Sequence, residues 1–154
     1  MNYSILMILM FISVFISGAS SYNNEDVNIN TGNNTPMADG KIKITVNSQT
    51  FTATLLDNNS AKKFREMLPL TLNMTELNGN EKYYDLPNSL PTNSSNPGTI
   101  KNGDLMLYGS KILVLFYKTF STSYSYTKLG SIDDVIGLAS ALGSGNVTVT
   151  FESE

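Results

Sequence analysis

Tyrosines are the side chains of this sequence whose types and spacing most suggest a binding site. All of them except Tyr3 and Tyr22 fall between residues 83 and 126. A tyrosine offers a flat apolar ring with a polar tip, which suits a groove that holds an extended peptide or a flat small molecule. The candidate groove residues are Tyr83, Tyr84, Met106, Tyr108, Phe120 and Tyr124. The alternative is that some of the aromatic rings of this segment pack the core. Strand alternation places Tyr117 opposite to Phe116, for example, so those two rings cannot line one surface.

Catalytic side chains are scarce. The sequence contains no cysteine, no histidine and no tryptophan. This excludes Cys and His nucleophiles and bases, the Ser-His-Asp arrangement, thiolate or imidazole zinc sites and disulfides. We therefore predict no catalytic residue and no cofactor.

Three carboxylates, Asp104, Asp133 and Asp134, stand near predicted turns. An aspartate at such a position usually forms the turn or caps the following helix, where it also complements the helix dipole. Their spacing lacks the dense oxygen ligands of a calcium loop. We assign no metal site.

The charges are balanced within the part that is predicted to fold. The chain carries 10 basic and 13 acidic residues, and every basic residue lies at or after Lys41. Only Glu25, Asp26 and Asp39 precede that point, which leaves 10 acidic against 10 basic groups in the remainder. Nucleic-acid binding requires clustered lysines and arginines. We predict no nucleic-acid partner, and we expect a monomer.

The amino terminus has the pattern of an export signal. Residues 5–16 are apolar except for Ser13, and small residues follow at positions 17–21. A run of about a dozen apolar residues is shorter than the ~20 that a transmembrane helix needs. We predict a signal peptide over residues 1–21, a flexible polar linker over 22–40, and a secreted or extracytoplasmic domain over 41–154. Because no lysine or arginine precedes the apolar run, an uncleaved membrane anchor is the alternative.

Alternation of apolar and polar residues predicts about eight strands. The first hairpin joins residues 41–46 to 50–55 through Asn47 and Ser48, and a strand over 111–118 is apolar on both faces, which indicates that both are covered. Further strands are predicted over residues 70–77, 82–86, 105–108, 123–129 and 147–151. Residues 86–104, rich in Pro, Asn and Ser, predict a long excursion without regular pairing.

Two short helices accompany the strands. Asn59 or Ser60 is the predicted cap of a helix over residues 61–68, which Pro69 ends. Asp133 or Asp134 is the predicted cap of a second helix that runs to Leu142. A long antiparallel sheet avoids exposed edges by closing. The pattern therefore favours a mainly β fold, a closed antiparallel eight-stranded barrel with a capping helix at each end, over a sandwich.

Several motifs occur in one order along this domain. They include Leu77-Asn78-Gly79-Asn80-Glu81-Lys82-Tyr83-Tyr84, Gly103-Asp104-Leu105-Met106-Leu107-Tyr108-Gly109 and Leu115-Phe116-Tyr117-Lys118. With them the chain resembles a microbial family of small cyclophilin-like proteins over residues 41–152. The resemblance implies an eight-stranded barrel with a capping helix at each end.

The same resemblance bears on activity. Prolyl isomerases of the cyclophilin fold use an arginine beside an apolar pocket that contains Trp and His, and this chain has neither of the latter. Its single arginine, Arg65, falls on the first predicted helix. We therefore expect an exported binding module for a peptide or small molecule, and a divergent prolyl cis-trans isomerase is the alternative.

Overall fold

A computed structural model of the chain describes residues 34–154. The predicted signal peptide and most of the predicted linker lie outside these residues. The ten strands and two helices of the described part are β1 Pro36–Val46, β2 Gln49–Leu56, α1 Asn59–Glu66, β3 Leu70–Leu77, β4 Glu81–Asp85, β5 Thr99–Ile100, β6 Asp104–Tyr108, β7 Ile112–Phe116, β8 Phe120–Ser121, β9 Thr127–Ile132, α2 Leu138–Leu142 and β10 Val147–Ser153.

Eight of the strands form a closed antiparallel barrel in the order β1-β10-β3-β4-β7-β6-β9-β2. The predicted fold class is confirmed. The short strands β5 and β8 form a separate two-stranded sheet. Every barrel strand has two neighbours, so the barrel leaves no unpaired edge strand.

The first hairpin shows how the residue pattern sets the register. Ile44 pairs with Phe51 and Val46 with Gln49 across β1 and β2. Since side chains alternate between the two faces, Ile42, Ile44 and Val46 all enter the interior and are fully buried. Asn47 takes the left-handed conformation at the turn, with φ of 53°, which asparagine tolerates better than most residues.

The helices close opposite ends of the barrel. Helix α1 follows the end of β2 that lies away from the β1–β2 turn, and it inserts Ala61 and Phe64 into the interior. There the Phe64 ring contacts the Phe151 ring edge to face, with 5.7 Å between the ring centroids. Helix α2 lies at the other end, where the Asn47 side chain of the β1–β2 turn donates to the Ala141 carbonyl. Neither helix of residues 34–154 is long and apolar enough to cross a membrane.

Both predicted helix caps need correction. The Asn58 side chain caps α1 by accepting from the Ala61 backbone amide, which makes Asn59 the first helical residue. Helix α1 also ends at Glu66, two residues before the predicted Leu68. At α2, Gly137 in a left-handed conformation occupies the cap position, so the helix starts at Leu138, four residues after Asp134.

The two aspartates before α2 have other roles. Asp133 accepts from the Thr54 hydroxyl at 2.6 Å and pairs with Lys41, which ties β9 to β1 and β2. Burial raises the pKa of Asp133, but the hydrogen bonds from Lys41 and Thr54 and the charge of Lys41 outweigh it and hold the pKa below its usual value. Asp134 accepts from the Ile136 backbone amide within its own turn.

The largest differences in strand boundaries from the prediction are at β1 and β9. Strand β1 begins at Pro36, within the stretch predicted as linker, because Pro36 already pairs with Leu56 before an irregularity leads into Lys41. Strand β9 spans Thr127–Ile132 rather than residues 123–129. The alternating segment that precedes it makes only an isolated bridge, between Tyr126 and Ser95.

Candidate ligand-binding face

The apolar side chains of β7 alternate between two clusters, one inside the barrel and one on its outer surface. Leu113 and Leu115 point into the barrel, while Val114 and Phe116 point outward, and all four are buried. The prediction that this strand is covered on both faces is confirmed. The outer aromatic face comprises the cluster around Val114 and Phe116 and the rings that extend it, namely Tyr83, Ile100, Met106, Tyr108, Ile112, Val114, Phe116, Phe120, Tyr124 and Tyr126.

The rings of this face form a continuous series. Tyr124 meets Tyr108 edge to face at 6.2 Å, and Tyr108 meets Tyr126 at 5.7 Å. Phe116 continues the series, 5.6 Å from Tyr126 and 5.7 Å from Phe120. Aromatic pairs at these separations attract each other, so the rings support one another.

Exposure of the rings increases along the series from Phe116 to Tyr124. Phe116 is fully buried and Tyr126 is 8% exposed, whereas Tyr108 is 48% and Tyr124 62% exposed. Burial raises the pKa of Tyr126, and the negative charge of Glu81 adds to that effect. The face therefore combines a rigid buried base with two accessible rings, an arrangement suited to stacking on a flat group.

The long Pro-, Asn- and Ser-rich loop covers one side of this face. The Leu90 amide donates to the Ser110 carbonyl at 2.8 Å, and Ser95 and Tyr126 exchange backbone hydrogen bonds at 3.0 Å. Farther along, β5 pairs with β8, which brings the fully buried Ile100 opposite Phe120. These bonds hold the loop against the barrel and fix the position of Tyr126.

The predicted groove residues separate into two groups. Five of the six, namely Tyr83, Met106, Tyr108, Phe120 and Tyr124, lie on the outer aromatic face. Tyr84 instead packs against the interior cluster, as its neighbouring position on β4 requires. The predicted groove does not include Phe116 or Tyr126, which also lie on this face. Alternation along β7 would have indicated Phe116.

A polar cleft adjoins this face. It has a volume of about 780 Å³ and lies between the start of α1, the long loop and strands β6 and β9. Met106 and Tyr126 belong to both the cleft and the face. Most charged groups in its wall are paired, with Lys128 3.2 Å from Asp104 and Lys62 2.9 Å from Asp57.

A buried lysine lies at the α2 end of the barrel. Lys82 is fully buried, and its ammonium donates to Glu76 at 3.0 Å and to the carbonyls of Gly143 and Gly145 at 2.7 and 2.6 Å. The Tyr117 hydroxyl also donates to Glu76, and the ammonium lies 5.2 Å from the Tyr117 ring centroid. We call these five residues the barrel-end lysine cluster. All three N–H donors of the ammonium have acceptors, and because two of these are the carbonyls of Gly143 and Gly145, the cluster holds the end of α2 in place.

The titration of this cluster follows from its contacts. Burial raises the pKa of Glu76, but the hydrogen bonds from Tyr117 and Lys82, the charge of Lys82 and the Gly79 amide together lower it below its usual value. Burial raises the pKa of Tyr117 to about 12, helped by its hydrogen bond to Glu76 and by the charges of Glu76 and Glu81. At neutral pH the Glu76 side chain is therefore a carboxylate and the Tyr117 side chain is a neutral phenol.

Other potentially reactive groups are dispersed. Arg65 lies in the last turn of α1, where its charge suits the carboxyl end of the helix. Asp104 is buried and accepts from the Lys101 amide in addition to its pairing with Lys128. Within residues 34–154, no group of three or more carboxylate, histidine or cysteine side chains is arranged to hold a metal ion.

Comparison with known proteins gives the family of the chain. A sequence model of the Cyclophilin-like family matches residues 44–152. The chain belongs to this family. A comparison with curated proteins gives no match.

A solved structure has the same fold as this cyclophilin-like chain. It is the solution structure of a hypothetical protein from Archaeoglobus fulgidus, with a TM-score of 0.59 and 15% sequence identity. The alignment covers 75% of the present chain and 95% of the archaeal one. At this identity the likeness establishes the barrel fold alone.

Proposed function

We propose that this cyclophilin-like domain is a binding module that holds a peptide or a small ligand on its outer aromatic face without converting it. The observation that carries the proposal is the pair of exposed rings, Tyr108 and Tyr124, mounted on the buried base of Tyr126 and Phe116. Large accessible aromatic groups on a rigid support are typical anchors of binding surfaces.

A binding role fits the residues better than catalysis. The outer aromatic face contains no arginine or histidine, since Arg65 is on α1 and histidine is absent from the sequence. A divergent prolyl isomerase is nevertheless a concrete alternative for this fold. A protease-coupled proline isomerisation assay separates the two, because a rate equal to the uncatalysed one removes the isomerase and an accelerated rate overturns the non-catalytic proposal.

Binding itself is tested by chemical-shift mapping with isotope-labelled protein. The probes are capped tetrapeptides that contain proline or an aromatic residue, together with a set of small aromatic fragments. We expect saturable shifts at the amides around Tyr108, Tyr124 and Tyr126. Shifts confined to another part of the barrel, or no saturable shift with any probe, would count against the proposal.

We also propose that the domain acts outside the cytoplasm. The support is the apolar run over residues 5–16 with its following small residues. Amino-terminal sequencing of protein from native cells should give a start near Ser20 or Tyr22. Recovery of chains that begin at Met1 in the membrane fraction would favour the anchor instead.

A further inference from the structure

Glu81 differs from the other carboxylates of residues 34–154. Nine of the eleven side-chain carboxylates in that range accept a hydrogen bond or form an ion pair, and the two exceptions are Asp39 and Glu81. Asp39 is exposed to water on β1, whereas Glu81 is half-buried. A partly desolvated carboxylate without a partner is costly, because it has lost water and gained nothing in return.

The strand register places Glu81 on the outer aromatic face. Glu81 lies directly opposite Phe116 in the pairing of β4 with β7, so both side chains point outward. Tyr83, two residues along β4, shares that face at about 7 Å. Phe120 contacts the Phe116 ring at 5.7 Å, and both Tyr83 and Phe120 are half-buried, so their rings are partly accessible.

The neighbouring carboxylate shows what Glu81 lacks. Glu76, on β3, receives the Lys82 ammonium, the Tyr117 hydroxyl and the Gly79 amide. Lys82 points to the opposite face of β4 from Glu81, and its donors are committed to Glu76, Gly143 and Gly145. Burial raises the pKa of Glu81, and the negative charge of Glu76 adds to this effect, which is the response of a carboxylate that no cation offsets.

We propose that Glu81, Tyr83 and Phe120 form a subsite for a cationic group, an ammonium or a guanidinium, carried by the ligand of the outer aromatic face. The carboxylate supplies the counter-ion, and the aromatic rings present their negative faces to the same cation. The proposal rests on the proposed function, and it specifies the charge of the ligand at the end of the face away from Tyr108 and Tyr124.

Two matched peptides test the subsite. They are acetyl-Lys-Ala-Pro-Phe-amide and the same peptide with norleucine in place of lysine, which keeps the four side-chain carbons and removes the ammonium. Chemical-shift titration should show about tenfold tighter binding of the lysine peptide, in line with a cation–π contact reinforced by a carboxylate. A third titration with tetramethylammonium chloride distinguishes a small cation from a peptide side chain as the source of the charge.

Glu81→Gln keeps the shape of the side chain and should abolish the preference for lysine. Phe120→Leu keeps the position apolar and should reduce that preference severalfold. Asp39→Asn is the control, because it removes the other carboxylate that has no partner among residues 34–154. Asp39 lies on a strand three places from β4 in the barrel order, so the variant should leave the preference intact. Raising the salt from 0.1 to 1 M shortens the Debye length from ~10 to ~3 Å and should weaken only the lysine peptide.

Equal binding of the two peptides to the unaltered protein overturns the subsite, as does a lysine preference that survives Glu81→Gln. If the norleucine peptide binds at Tyr108 and Tyr124 without any preference for lysine, the subsite fails and the proposed function stands. If neither peptide nor tetramethylammonium shifts any resonance of the outer aromatic face, the subsite fails. The proposed function then fails with it if the wider probe set also gives no saturable shift.

Discussion

The barrel interior and the outer aromatic face are both apolar, but they are enclosed in different ways. In the interior, eight strands and two helices surround aliphatic side chains with few aromatic rings, of which Phe64 and Phe151 are fully buried. Outside, β4, β6 and β7 supply one wall, and only the long loop and the segment around β8 cover it. Tyr108 and Tyr124 therefore remain exposed at its rim.

This difference indicates which residues contribute to stability and which are available for binding. Interior residues reach their partners within the fold, so the interior has no surface left for a ligand. The outer aromatic face has a base, Phe116 and Tyr126, whose side chains the fold buries, and a rim, Tyr108 and Tyr124, whose side chains remain exposed. A change at the base should alter stability, and a change at the rim should alter binding.

The largest effect is expected at the base of the face. Phe116→Ala should lower the free energy of unfolding by about 3–5 kcal/mol, through lost transfer energy and the cavity it leaves. Phe151→Ala gives the interior counterpart and should cost a similar amount, while Thr148→Ala, exposed on the same strand as Phe151, is the control. Denaturant melts measure all three. A cost below ~1 kcal/mol for Phe116→Ala would mean that the loop does not seal this base.

A somewhat smaller loss is expected at the barrel-end lysine cluster. Lys82→Met keeps the apolar stem but leaves Glu76 and the carbonyls of Gly143 and Gly145 without their donor. Removing one partner of a buried ion pair should destabilise the domain by about 3 kcal/mol. Calorimetry or urea melts check this value, with Lys63→Met on the exposed face of α1 as the control. Equal stability of the two variants would show that the cluster is not structural.

The same cluster predicts a loss of stability in alkali. The pKa of Tyr117 is raised to about 12 in the folded state, whereas an unfolded tyrosine ionises near ~10. The unfolded chain therefore loses this proton first, and the stability linked to it is complete below pH ~10 and falls as the pH rises towards 12. Urea melts across this range should show a shallower decline for Tyr117→Phe than for Tyr124→Phe. Identical slopes would contradict the assignment.

Stability should change least at the rim. Tyr108→Ala and Tyr124→Ala each remove an exposed ring and one or two aromatic contacts, so each should cost at most about 1 kcal/mol. Thermal melts are sufficient to detect a larger effect. A loss near that of Phe116→Ala would assign the tyrosine to the core and remove it from the binding surface.

The sequence predicts the barrel well because most of its strands alternate apolar and polar residues, and β7, which does not, is a short apolar run. The predicted ends of helices are wrong where the side chain that was expected to cap the helix binds another segment instead. Asn58 takes the cap that was expected from Asn59 or Ser60, while the Ser60 hydroxyl donates to the Pro91 carbonyl in the long loop. Asp133 pairs with Lys41, 92 residues away, instead of capping α2. Such contacts between distant segments leave no local pattern.

The candidate site is predicted in part for the same reason. Alternation separates Tyr83 from Tyr84 once the strand is known, but it does not tell which face the loop covers. Tyr126 joins the face through its bridge to Ser95, a contact across the long loop. Glu81 becomes conspicuous only when the partners of the nine paired carboxylates of residues 34–154 are known.

Ligand binding by the outer aromatic face is tested most directly by the affinity of one capped peptide, acetyl-Lys-Ala-Pro-Phe-amide. The affinity is measured for domains with Tyr108→Ala or Tyr124→Ala, with Thr148→Ala as the control. We expect a loss of ~1–3 kcal/mol of binding free energy for each tyrosine variant, at nearly unchanged stability, and no loss for the control. Unchanged affinity in both tyrosine variants, with the peptide still bound by the unaltered protein, would contradict a binding site on the outer aromatic face.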